Sequence, residues 1–102
     1  QTAVISTEHT LGSAITTLGT FMLLVNTENM VGSDEMTLRA KQETIAASGA
    51  TDLLDVATFK GPQGRFVVQF GLSTNINGLT YTLEQTAGTG RNFEWEIIQV
   101  DG

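Results

Sequence analysis

The feature that most narrows what this chain can fold into is strict side-chain alternation, repeated from one end to the other. From Glu35 to Lys41, Met36, Leu38 and Ala40 fall on one side and Glu35, Thr37, Arg39 and Lys41 on the other. Arg65 to Ser73 sets Phe66, Val68, Phe70 and Leu72 against Val67, Gln69 and Gly71. Leu79 to Gln85 sets Leu79, Tyr81, Leu83 and Gln85 against Thr80, Thr82 and Glu84. In Phe93 to Val100, Phe93, Trp95 and Ile97 oppose Glu94, Glu96, Ile98 and Val100. A period of two is the signature of a half-buried strand, and no helical period of 3.6 is sustained anywhere. Only Thr44 to Ala50 has the character of a helical turn.

Turn signals separate these runs: Gly32-Ser33-Asp34, Ser48-Gly49, Gly61-Pro62-Gln63-Gly64, Asn77-Gly78 and Gly88-Thr89-Gly90. Glycine and asparagine permit positive φ there, aspartate bonds its own backbone, and proline presets φ. Phe21 to Asn26 and Leu53 to Lys60 add two more strands, and the Thr/Ser-rich first 18 residues have room for one or two. The expectation is an all-β, antiparallel β-sandwich of six to eight short strands, jelly-roll or Ig-like. Its core should draw on Phe21, Leu23, Phe66, Val68, Phe70, Leu72, Tyr81, Leu83, Phe93 and Trp95. At 102 residues the chain fits one β domain over residues 1–102, with residues 1–12 as an extended N-terminal arm.

Composition removes several function classes. There is no cysteine, hence no disulfide, thiolate nucleophile or Cys-based metal site. A net charge of −6 gains nothing from a phosphate backbone, so nucleic acid is not an expected partner. The longest apolar run, Phe21 to Val25, is far short of a membrane-spanning helix, and Gln1 to Leu11 lacks the layout of a secretory leader.

Each candidate for chemistry has a simpler reading. His9 is the sole imidazole, in a polar stretch with no nucleophile turn to serve. Glu94 and Glu96 share a strand side but read as the wet side of an amphipathic strand. Gly88-Thr89-Gly90-Arg91 lacks the third glycine and the helix of a phosphate cradle, leaving a tight turn from which Arg91 reaches solvent or a partner. Phe93, Trp95 and Tyr81 read as core rather than as a sugar-stacking platform. No catalytic residue, metal or cofactor is expected. Gly19 to Val25 is the exception to one-sided burial: Phe21, Leu23 and Val25 on one side, Met22 and Leu24 on the other. Cover for the second side would come from the N-terminal arm or from a neighbouring subunit, which makes Met22, Leu24 and Arg91 the candidate protein-interface residues. With few charges and many threonines, attachment through them is expected to rest on apolar burial and to depend little on salt.

The segment Leu83-Glu84-Gln85-Thr86-Ala87-Gly88-Thr89-Gly90-Arg91-Asn92-Phe93-Glu94-Trp95 resembles a group of short proteins encoded among the virion genes of tailed bacteriophages. The resemblance extends to the Gly-Thr-Phe-x-Leu-x-Val-Asn-Thr strand at Gly19 to Thr27 and to the Gly-x-Asp turn leading into Met36 to Ala40, with Glu84 standing where the pattern has lysine. It implies a non-enzymatic structural virion protein that decorates or cements the capsid. Its implied partners are the major capsid protein or other virion proteins, with a homo-oligomer as its form. Its implied place is the capsid surface, after synthesis in the host cytoplasm. The alternatives are a carbohydrate- or receptor-binding sandwich and a tail or neck subunit.

Overall fold

The computed structural model describes residues 1–16, 18–43, 51–63, 67–75 and 78–101. They form seven strands: β1 (Glu8–Thr10), β2 (Gly19–Asn26), β3 (Glu35–Glu43), β4 (Thr51–Lys60), β5 (Val67–Asn75), β6 (Leu79–Ala87) and β7 (Trp95–Asp101). The sheets are antiparallel, one of four strands in the order β1-β6-β3-β4 and one of three in the order β5-β2-β7. The expected β-sandwich is therefore present. Every connection except β3 to β4 crosses from one sheet to the other. This is the wound order of a jelly roll; an Ig sandwich keeps more of its consecutive strands within one sheet.

Alternation places the core as the sequence predicts. Leu23, Leu38, Tyr81, Leu83 and Phe93 are fully enclosed and Phe21 and Phe70 are buried, while Val68 and Trp95 pack against them from partly buried positions. Phe66 and the side chain of Leu72 lie outside the described residues, as does the stretch 44–50. Leu11 and Ala3 add buried side chains from the N-terminal segment. That segment is not a free arm: β1 pairs with β6, Leu11 N–H donates to Tyr81 O at 2.9 Å, and Ala3 N–H donates to Arg91 O at 2.8 Å. Residues 1–12 thus close the edge of the four-stranded sheet, away from the outer side of β2.

Strict alternation fails at one point in β5. Phe70 and Gly71 are both buried, and the register against β2 jumps from Leu23↔Phe70 to Phe21↔Ser73. Gly71 has φ 66°, and a Cβ there would lie 2.8 Å from Tyr81 Cε1. The bulge position requires glycine, because the Tyr81 ring occupies the space a side chain would need and φ is positive. The Tyr81 hydroxyl donates to the carbonyls of Phe21 and Gly71, so one side chain from the four-stranded sheet is bonded to both strands facing it. Phe70 meets the same ring edge-on, with centroids 6.4 Å apart. Phe70→Ala should cost about 3 kcal/mol in urea denaturation, the lower end for emptying a buried aromatic site; a cost under about 1 kcal/mol would place Phe70 outside the core.

Candidate binding face

The two outer sheet faces differ in chemistry. On the four-stranded sheet, cross-strand register sets Glu8 opposite Glu84 and Arg39 opposite Thr82, and the charges there satisfy one another. Arg39 Nη1 reaches Glu84 Oε1 at 2.9 Å and Glu8 Oε2 at 3.5 Å, Lys41 Nζ lies 2.8 Å from Glu8 Oε2, and the Thr82 hydroxyl donates to the same oxygen at 2.7 Å. The Lys41 ammonium and the Thr82 hydroxyl hold the Glu8 carboxyl below its ordinary value, against the opposing effect of burial. The Thr37 and Thr58 hydroxyls bond across strands at 3.0 Å. Leu53 and Val56 stand exposed among these groups on the edge strand β4.

The outer face of the three-stranded sheet sets apolar side chains beside carboxylates and amides. β2 is its central strand, with Phe21, Leu23 and Val25 buried inward and Met22, Leu24 and Asn26 half-buried outward. Register brings Val67 of β5 beside Asn26, Gln69 beside Leu24, and Glu96 and Ile98 of β7 beside Leu24 and Met22. Met22, Leu24, Ile98 and Val67 therefore form one apolar patch, in which Val67 is 48% exposed. At its β2–β3 end a depression of about 320 Å³ is lined by Leu24, Asn26, Val67, Glu94, Trp95 and Glu96. Asn26 Nδ2 donates to Glu94 Oε1 and to Glu28 Oε1, each at 3.2 Å, and so draws two carboxylates to the rim.

Arg91 has a different setting from Met22 and Leu24. Its Nε donates to Asp34 Oδ2 at 2.8 Å, and the Asp34 side chain is 1% exposed. Asp34 also accepts from Val31 N–H at 3.0 Å and Thr89 N–H at 3.1 Å, and its carbonyl accepts from Gly61 N–H at 2.7 Å. Burial acts to raise the Asp34 carboxyl, but the Val31 amide, the Arg91 guanidinium and the Thr89 amide together hold it below its ordinary value. On the inner side the fully buried Gln85 closes the same turn: Nε2 donates to Ala87 O and Thr89 O, and Oε1 accepts from Arg91 N–H at 2.9 Å. A Cβ on Gly88 would fall 2.0 Å from Asp34 Oδ1, and one on Gly90 2.6 Å from Ala3 O. The Gly-Thr-Gly-Arg turn and the Gly-x-Asp turn are thus two halves of one structural clamp joining three loops.

The remaining candidates have the following settings. His9 Nε2 accepts from Val4 N–H at 3.2 Å within the N-terminal turn. Tyr81 and Phe93 are fully buried and offer no stacking platform. Among the described residues, no three His, Asp or Glu side chains gather where they could hold a metal, and no helix is long and apolar enough to cross a membrane. Val67 and Ile98 are the face residues that sequence reasoning did not single out; the signal for Ile98 was an apolar residue on the wet side of the last strand. No family model, curated protein or solved structure matches the chain.

Proposed function

We propose that this protein is a non-enzymatic structural component of a tailed-phage virion, attached to the capsid shell through the outer face of its three-stranded sheet. The observation that carries the attachment is the Met22, Leu24, Val67, Ile98 patch. An antiparallel sheet ordinarily turns polar residues to the solvent side, and a contiguous apolar patch on a folded domain marks a contact with another macromolecule. The virion assignment rests on the resemblance of the clamp and β2 motifs to virion proteins. On this reading the partner is the major capsid protein or another shell component, homo-oligomers form on the shell, and the capsid surface is the site of action.

The test uses particles of the virus that encodes the chain. Imaging should locate the chain on the shell exterior. A Met22→Thr/Leu24→Thr variant keeps strand-forming residues but removes the apolar patch, and should fold normally yet be retained on particles at least about tenfold less, as expected for two lost apolar contacts. Particles that lack the chain, or full retention of the variant, would overturn the proposal.

A further inference from the structure

We infer that the depression beside Leu24 takes a lysine or arginine side chain from the partner, so that the docked surface is basic as well as apolar. This inference rests on the reading of the outer face as a docking surface and specifies its partner. The observation behind it is how the chain distributes its charges. Of the described cations, Arg39 and Lys41 are paired with Glu8 and Glu84, Lys60 lies 3.7 Å from Glu35, and Arg91 is held by Asp34. None reaches the three-stranded face. Glu28, Glu94 and Glu96 stand there with no cation among the described residues, the first two drawn together by Asn26. Like carboxylates gathered on an apolar surface repel one another until an opposite charge arrives.

The shape of the depression suits one kind of side chain. Leu24 and Val67 line it with apolar surface, while Glu94 and Glu96 supply negative charge. A Lys or Arg stem lies along apolar walls while its cationic head keeps polar company. Among the described residues, a second copy seated face to face would bring the carboxylates of both copies together with no cation between them, which disfavours that occupant. Composition pointed to attachment indifferent to salt; the placement of these carboxylates predicts the opposite for this contact, since exposed charge pairs are screened within about 8 Å at physiological ionic strength.

The experiment uses the intact isotope-labelled protein and two probe peptides, acetyl-Leu-Lys-Val-Lys-Leu-amide and acetyl-Leu-Gln-Val-Gln-Leu-amide, titrated by amide chemical shift. The lysine peptide should shift Leu24, Asn26, Val67 and Glu96 and bind at least about fivefold more tightly than the glutamine peptide at low salt. That preference should shrink on raising NaCl to about 0.3 M and vanish in Glu94→Gln/Glu96→Gln. Equal affinity for the two peptides, or a preference that survives the double variant, overturns the inference. Particle retention separates the two claims. If Met22→Thr/Leu24→Thr abolishes retention while the peptides bind equally, the docking face stands and the basic partner falls. If that variant retains full binding while the lysine preference holds, the groove takes cations but is not the shell contact.

Discussion

Tyr81→Ala should cost about 4 to 8 kcal/mol at 25 °C. Emptying a buried aromatic site accounts for about 3 to 5 kcal/mol of that, and the carbonyls of Phe21 and Gly71, deprived of their donor, add about 1 to 3 kcal/mol. A domain of this size has about 5 to 15 kcal/mol in total, so one substitution removes a large share of it. Tyr81→Phe separates the two contributions: it keeps the ring against Phe70 and the Gly71 bulge and removes only the hydroxyl, for a loss of about 1 to 2 kcal/mol. Chemical denaturation of both variants measures this. If Tyr81→Ala cost under about 2 kcal/mol, the two sheets would be held together by something other than this side chain.

Asp34→Ala should cost about 3 to 5 kcal/mol, the range for removing one partner of a buried ion pair. The Val31 and Thr89 amides and the Arg91 guanidinium would lose their acceptor at once. Gly88→Ala should do comparable damage from the opposite side, because its new Cβ would sit 2.7 Å from the Asp34 Cα as well as against the carboxylate, at a φ of 90°. Asp34→Asn keeps an acceptor and should cost less. The carboxyls of Asp34 and Glu8 are both held below their ordinary values. Their contribution is therefore complete above the ordinary carboxylate range and is lost as pH falls through the lowered values, below about pH 4. Thermal melts of the parent and Asp34→Asn from neutral to acid pH should converge as the acid limb is reached; a gap that stays constant would mean that the Asp34 charge contributes nothing to the fold.

Periodicity made most of the fold legible, because a half-buried strand cannot hide which of its sides is apolar. Leu38 and Met36, Tyr81 and Leu83, Phe93 and Trp95 all face inward as their spacing requires. Gln85 also faces inward, on the side it shares with Leu83. Its purpose was not legible, since its partners belong to a turn that comes together only in three dimensions. Asp34 and Arg91 are read alone as a turn former and a solvent-reaching cation. They meet because β3 and β6 are neighbours, which depends on how the sheets are wound and not on either local sequence. Met22 and Leu24 were legible as a second apolar side of β2. Val67, Ile98 and Glu96 join them only through the β5-β2-β7 order, which no single strand encodes.

The wound order also governs how the chain must reach this structure. Only β3 and β4 are consecutive strands that pair, so a single hairpin is available early. β2 cannot gain both neighbours until β7 exists, and β6 must arrive to bridge β1 and β3. Loop-closure entropy is spent before these distant pairings return anything, which places folding in the milliseconds-to-seconds regime of β-rich topologies. A ribosome releasing this chain would hold the four-stranded sheet incomplete until β6 emerged and the three-stranded sheet until β7 did, with the apolar sides of β2 and β3 open to other chains in the interval.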